Sequence, residues 1–388
     1  MIDKQRLVRR FLELVRIDSI SKREARLAGR MQEELKSLGL HVEVDHAAQK
    51  VGGNTGNVIA TLKGNVTRIP SLLLCAHMDT VEPGEGIQPI IDGEIIKTDG
   101  RTILGGDDKS GIAVICEVLE LIKERGLPHG DIEIVLTVCE ELGMLGAKHL
   151  DYSRLRSAFG FVFDSLRLDE LIVKAPAADS LQFRIHGIAS HAGVSPERGI
   201  SAISVAARAI AMMRLGRLDS ETTANIGVIH GGVATNVVPE WTVIEGEARS
   251  HDEAKLRAQT AHMRQCVHDA ALESRIVLDG KAQTATVEEN IYRDFPPMNV
   301  PDNSRVVGLI KMAAHSTGLN IRSTTLGGGF DANVFNANGI EMISIGSGMR
   351  DIHTTEESLD IEEMCGAAEL LLEAINLTTK VDTWEHRA

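Results

Sequence analysis

Eight acidic or histidine side chains stand just after short aliphatic runs or just ahead of a helical one: His77, Asp79, Asp107, Asp108, Glu140, Glu141, Asp164 and His353. They lie in Ser71-LLLCAHMD, Asp131-IEIVLTVCEE, Ala158-FGFVFD, Met342-ISIGSGMRDIH and the turn Gly105-GDDKSG. LLLC, IVLTVC and FVF are apolar on both sides of the pleat, as strands buried on both faces of a parallel sheet must be. The carboxyl ends of such strands converge on one crevice, where ligands bind. Two imidazoles and several carboxylates delivered there make a divalent-metal site with ligands enough for two ions.

Each position alone is ambiguous. His77 and Asp79 are two apart and share a face of an extended chain, so Asp79 can fix the imidazole tautomer through the second ring nitrogen. The same pair also suits a surface histidine beside a turn aspartate. Asp107 and Asp108 fit a helix N-cap, while the two preceding glycines allow one carboxylate to turn inward. Glu140 and Glu141 would point opposite ways in a strand; in a loop both can enter the cleft, one to bind metal and one to take a proton from water. Asp164 and His353 say little singly. Taken together, one binuclear centre accounts for all of them, and no HExxH, GxSxG or P-loop lysine supports another chemistry. The remaining histidines, His191 apart, are expected in structural or surface roles.

The elements that must carry these groups fall into two kinds. With 388 residues the chain is too long for one ordinary core. Residues 3–16 and 23–38 read as helices, 41–46, 57–63 and 71–76 as strands, and Lys109–Arg125 as a helix closed by Gly126. This alternation predicts an α/β fold with a mostly parallel sheet. The middle departs from it. Ser180-LQFRIHG, Thr223-ANIGVIHGG, Trp241-TVIEGEARS and Ser274-RIVLDGKAQ read as strands, with helices over Gly199–Arg214 and Asp252–Glu273. That order, β-α-β-β-α-β, is that of a ferredoxin-like α+β sandwich. The expected organisation is a catalytic domain from residues 1–176 and 296–388, with a lid or dimerisation domain inserted over 177–295.

Composition narrows the classes of function. A net charge of -14 with no basic, aromatic-interleaved cluster argues against nucleic acid as a partner. Aromatic residues make up only 3%, so the core must be aliphatic. Five cysteines, an odd number without a CxxC pair, suit reduced buried thiols and a cytoplasmic location. The N-terminal stretch reads as an amphipathic helix without an uninterrupted apolar core, and no segment is long enough to span a bilayer, so no membrane partner is expected.

Ala76-HMDTV, Thr98-DGRTILGGDDKSGIA, Pro128-HGDIEIVLTVCEELGMLGAKHLD, the strand ending at Asp164 and Ile352-HTTEE resemble peptidase T and, more loosely, the wider family of binuclear zinc peptidases and amidohydrolases. The resemblance implies one zinc held by His77, Asp107 and Asp164 and a second by Asp107, Glu141 and His353. Co2+ or Mn2+ would be possible substitutes. It further implies Glu140 as general base, with Asp79 as the partner of His77. In the inserted domain Ser190-HAG, Ala234-TNVVPE and Glu247-ARS match motifs in which a histidine, an asparagine and an arginine contact substrate, here His191, Asn236 and Arg249. That pattern is closer to the carboxypeptidase and aminoacylase branches. The late glycine motif, with Gly328 as a substrate-binding position, carries Phe330 where a serine or threonine is usual.

The resemblance thus implies a metallopeptidase cleaving short peptides, an aminopeptidase in the first instance. A carboxypeptidase or N-acyl-amino-acid amidohydrolase is the enzymatic alternative, and a catalytically silent binding protein the non-enzymatic one. A homodimer through the lid is expected, with the turn at His191 reaching the partner's cleft.

Overall fold

The computed structural model describes residues 2–380 and divides into two compact units. One is built from the chain up to Ala175 and from Met298 onward; the other is Pro176–Pro297.

The first unit is organised by a nine-stranded sheet in the order His41–Val44, Val58–Leu62, Ile132–Thr137, Leu72–His77, Phe159–Val162, Glu341–Ile345, Glu170–Ala175 and Met298–Asn299, with Arg322–Thr325 also paired to Glu170–Ala175. Its centre is parallel. Leu72–His77 runs parallel to both Ile132–Thr137 and Phe159–Val162, and Glu341–Ile345 parallel to Phe159–Val162. The strands flanking that centre pair antiparallel, except Arg322–Thr325, which runs parallel to Glu170–Ala175. Every residue of Leu72–His77 and of Ile132–Thr137 is buried, which is why their sequences show no alternation of polar and apolar positions. Helix Gly106–Arg125 packs on strand Leu72–His77, and helices Lys4–Val15 and Ile361–Thr378 pack on that helix in turn. Met298 pairs with Ala175, so the chain leaves this sheet and returns to it at adjacent positions.

A smaller sheet in the same unit has the order Met349–Arg350, Ser358–Asp360, Ile95–Lys97, Ile90–Asp92. It brings residues 351–357 alongside the segment that leads into the 104–108 turn.

Helices Lys4–Val15, Ala25–Ser37 and Gly106–Arg125 are joined by charge as well as by apolar packing. Glu117 has no exposed surface and accepts from Arg6 at 2.7 Å and Arg10 at 3.1 Å. Arg10 also donates to Glu34 at 2.6 Å and to Glu120.

In the second unit the strands Ala177–His186, Thr222–Gly231, Trp241–Ser250 and Thr286–Phe295 and the helices Ala202–Met212 and Glu253–Glu273 follow the β-α-β-β-α-β order. The closing strand differs from expectation. Residues 275–284 form a separate hairpin, Arg275–Leu278 with Lys281–Thr284, and Thr286–Phe295 pairs with Ala177–His186 instead. Asp279-Gly280, both with positive φ, supplies the two-residue turn that makes a hairpin out of what reads as one strand. Among the described residues no helix is long and apolar enough to cross a membrane.

Glu117→Ala leaves Arg6 and Arg10 short of a buried partner, and breaking such a pair costs about 3 kcal/mol or more. Denaturant unfolding of the variant measures it. A loss below about 1 kcal/mol would place the network with exposed surface pairs instead.

Candidate metal centre

Strand Leu72–His77 ends on the imidazole, 2% exposed. Its Nε2 lies 2.9 Å from Asp107 Oδ1, and its Nδ1 lies 2.9 Å from the main-chain oxygen of Asp79. The Asp79 carboxylate is farther from that nitrogen, at 3.6 Å. It accepts instead from the amides of Glu140 at 2.8 Å and Glu141 at 3.2 Å and from the Ser21 hydroxyl at 2.6 Å. The carbonyl is thus the nearer acceptor for the ring nitrogen, while the carboxylate stands beside the ring and organises the glutamate loop. Two residues past a strand end the chain has already turned, which brings its carbonyl to the imidazole first.

Asp107 and Asp108 divide their tasks. Both depart from helical angles at the head of Gly106–Arg125. Asp108 accepts from Gly111 N at 3.3 Å, as an N-cap does, and from His77 N at 3.2 Å, tying helix to strand. Gly111 must lack a side chain, since a Cβ there would sit 2.4 Å from Asp108 Oδ1 and 2.7 Å from Phe163 Cβ. Asp107 turns inward. Lys109 is buried and directed elsewhere, donating to Ile17 O at 2.8 Å, and burial lowers its pKa to about 8.

After strand Ile132–Thr137 the chain reverses at Cys139, whose φ is +52°. The Glu24 carboxylate accepts from Cys139 N at 3.0 Å and holds that kink. Both glutamates then lie off the strand, so their strict alternation is lost and both side chains can join the cluster. His353, itself at φ +63°, approaches from the opposite loop, its Nε2 3.0 Å from Glu141 Oε1 and 3.2 Å from Asp107 Oδ2. Asp164 follows strand Phe159–Val162. The ligand atoms of His77, Asp107 and Glu141 lie within 4.8 Å of one another, as do those of His77, Glu140 and Asp164. Seven expected residues therefore converge: His77, Asp79, Asp107, Glu140, Glu141, Asp164 and His353.

Negative charge dominates the cluster. Burial, with Asp164 as the nearest like charge, pushes Glu140 well up, and burial with Asp107 does the same to Asp164. Burial also raises Glu141, against the hydrogen bond from His353. His77 is held well above its usual range because Asp107 and Asp79 outweigh burial, and hydrogen bonds to Asp107 and Glu141 lift His353 to about 10. Asp107 is pulled down by the two imidazoles although burial alone would raise it. Packed oxygen and imidazole donors with this excess of negative charge suit divalent cations.

The remaining expected positions fall elsewhere. Gly328 lies in a partly exposed loop with open space around its Cα, whereas Phe330 is 2% exposed and packs inward. A buried phenyl ring offers no hydroxyl to a ligand. Next to it Asp331 accepts from Thr137 Oγ1 at 2.5 Å, and burial lifts its carboxyl to about 6. In the second unit His191 and Asn236 are exposed neighbours, Ala192 N donating to Asn236 O at 2.9 Å. Arg249 stands at the other end of that sheet. It pairs across from Ala178, whereas Trp241 pairs with His186 near His191. One edge of its guanidinium, Nε and Nη2, donates to Glu247, at 2.9 Å each.

Ser21, Glu24, Asp331 and Glu357 support the site and were not expected. Ser21 and Glu24 sit in a plain helix-entry sequence, SKREAR, with nothing local to mark them. Asp331 and Glu357 do carry a signal: each stands in a motif already singled out, GGFD and DIHTTEE.

Residues 73–377 match the model of peptidase family M20/M25/M40, and the chain belongs to that family. It is a peptidase T-like member, a metal-dependent hydrolase. The solved structure of aminopeptidase PepT from Bacillus cereus is 39% identical, with a TM-score of 0.88 over 97% of this chain and 99% of that one. A tripeptidase from Staphylococcus aureus is 38% identical, with a TM-score of 0.92 over 98% and 100%. Peptidase T of Vibrio cholerae is 27% identical over 96% of this chain and 98% of its own.

Asp79→Asn keeps one acceptor but sets an NH2 group against an amide N–H or the Ser21 hydroxyl. Turnover is expected to fall about 10- to 100-fold with the fold intact, as for other groups that orient metal-site residues. Peptide hydrolysis read beside circular dichroism checks this, and unchanged turnover would assign Asp79 a purely local role.

Proposed function

We propose that this chain is a cytoplasmic aminopeptidase that removes the N-terminal residue of short peptides with two zinc ions bound. The observation that carries the binuclear reading is Asp107, whose two oxygens face two different imidazoles, His77 at 2.9 Å and His353 at 3.2 Å. A carboxylate so placed would offer one oxygen to each of two cations. Asp164 completes the set on the His77 side and Glu141 on the His353 side. Co2+ and Mn2+ are expected to substitute. The cleavage specificity is supported by the likeness to an aminopeptidase and a tripeptidase. The location is supported by five free cysteines, four of them buried.

Bound divalent cations supply Lewis acidity to the scissile carbonyl and the attacking water. The protein supplies the rest. Glu140, its main chain locked by Asp79, takes the water's proton and passes it to the leaving amine. His191 donates to the oxyanion as it forms. Asn236 and Gly328 position the substrate.

A carboxypeptidase or amidohydrolase reading rests on the lid motifs, in which Arg249 would clamp a substrate carboxylate. Glu247 already holds the Nε and Nη2 edge of that guanidinium, so a substrate carboxylate would have to share Arg249 with it. The aminopeptidase reading makes no such demand.

We further propose a homodimer formed through the second unit. His191 and Arg249 lie at opposite ends of the same sheet, roughly 25 Å apart at about 3.3 Å per residue along the strand. Strand Thr222–Gly231 is covered by Gly216–Arg217 only at Thr223 and Ala224, and Val228 and Ile229 are 49% and 53% exposed, which suits pairing with a second copy.

Incubation with di-, tri- and N-acetylated peptides, with mass spectrometry of the products, tests the specificity; release of C-terminal residues or acetate would overturn it. Glu140→Gln is expected to keep its metal content while kcat falls about 10²- to 10⁴-fold. Glu141→Gln should instead lower metal content on elemental analysis. Near-normal turnover by Glu140→Gln would remove it as the base. His191→Ala and Glu140→Gln, each inactive, should regain part of the activity when mixed under conditions of subunit exchange. Exchange without recovery would show that His191 does not act in trans.

A further inference from the structure

We propose that Glu357 is a positioning residue that sets Asp107 against His353 and so governs how tightly the centre holds its cations. The inference rests on Asp107 and His353 being ligands.

Glu357 is 1% exposed, and all three donors recorded to its carboxylate are amides of a single turn. Oε2 accepts from Leu104 N at 2.8 Å and Gly105 N at 2.9 Å, and Oε1 accepts from Asp107 N at 3.1 Å. The turn is shaped to receive it. Gly105 adopts a left-handed conformation at φ +71°, and a Cβ on Gly106 would lie 3.2 Å from Glu357 Oε1. Such a three-amide cradle fixes the main chain of Asp107 itself, one bond from the Cα that carries the inward-turned carboxylate.

The other end of the link is equally short. Glu357 lies four residues past His353, and its amide donates to Thr354 O at 3.2 Å, closing the loop on which the imidazole is carried. The small sheet brackets both segments, Ser358–Asp360 pairing with Ile95–Lys97, the strand that precedes the 104–107 turn. Two ligand-bearing segments about 250 residues apart in the chain are thus held in register by one carboxylate. Buried backbone amides without an acceptor would otherwise be costly. A glutamate is the side chain that offers two oxygens at this reach.

Glutamine separates positioning from mere packing. Glu357→Gln keeps the size and one oxygen for Leu104 and Gly105, but faces Asp107 N–H with an NH2 group, donor against donor. Glu357→Asp keeps the charge but draws both oxygens back from the three amides by one methylene. The probe is Co2+ alone, titrated into metal-free full-length protein and followed by its visible absorption.

Glu357→Gln is expected to weaken Co2+ binding about 10- to 100-fold, the usual effect of removing a partner that orients a ligand, with the circular dichroism of the wild type. Turnover should fall at limiting Co2+ and recover at saturating Co2+, with KM unchanged. Glu357→Asp should shift binding in the same direction. Asp107→Asn serves as the reference. If Asp107→Asn loses Co2+ while Glu357→Gln binds it as the wild type does, the positioning role is overturned and the ligand assignment stands. If Asp107→Asn binds Co2+ normally, the ligand assignment fails and takes this inference with it. Should Glu357→Gln not fold, wild-type Co2+ affinity in Glu357→Asp overturns the proposal by itself.

Discussion

Several carboxylates gathered at the ends of buried strands repel one another, and the surrounding fold is arranged to hold them despite that repulsion. The means is largely the peptide backbone. Asp79 is held by the amides of Glu140 and Glu141, Asp108 by those of His77 and Gly111, and Glu24 by that of Cys139. Each of these groups accepts hydrogen bonds from main-chain donors that the strand ends and helix start leave unpaired. The groups that face inward, Asp107, Glu140, Glu141 and Asp164, thereby meet in a site with two imidazoles and an excess of negative charge. Such a site is poised for cations, because the donor groups are already gathered there before they bind.

The parallel centre of the sheet makes this concentration possible. Strands that run the same way end at the same edge, so His77, the Glu140 loop and Asp164 come from three neighbouring strands without long excursions. Helix Gly106–Arg125 packs on the middle one and sets its first turn, with Asp107 and Asp108, at that edge. The division of labour between those two aspartates follows from two non-helical residues at the helix head, which turn consecutive side chains in different directions.

Much of this could be read in the sequence. Strand runs apolar on both faces gave away the buried centre of the sheet, and the ionisable residues at their ends gave away the site. What could not be read was which atom of a residue does the work. Asp79 was expected to face His77 by its side chain, and its carbonyl comes nearer still, because an HxD spacing fixes a face and leaves the turn after the strand open. Ser21 and Glu24 reach the site from far away in the chain, and periodicity carries no trace of such contacts. The hairpin at residues 275–284 read as a single strand because its turn, Asp279-Gly280, interrupts the apolar pattern only briefly. Phe330, met in the sequence as a missing hydroxyl, proved to be a core residue.

The pairing of Met298 with Ala175 bears on how such a protein is assembled over generations. The intervening Pro176–Pro297 departs and returns across one rung of hydrogen bonds, where opposed Cα atoms are only about 5 Å apart. A cassette attached in this way can be lengthened, exchanged or deleted in the gene with a few residues bridging the gap, and no strand of the large sheet need change its neighbours. Selection on the two parts can therefore proceed separately, a change of length or sequence in one leaving the strand order of the other as it was.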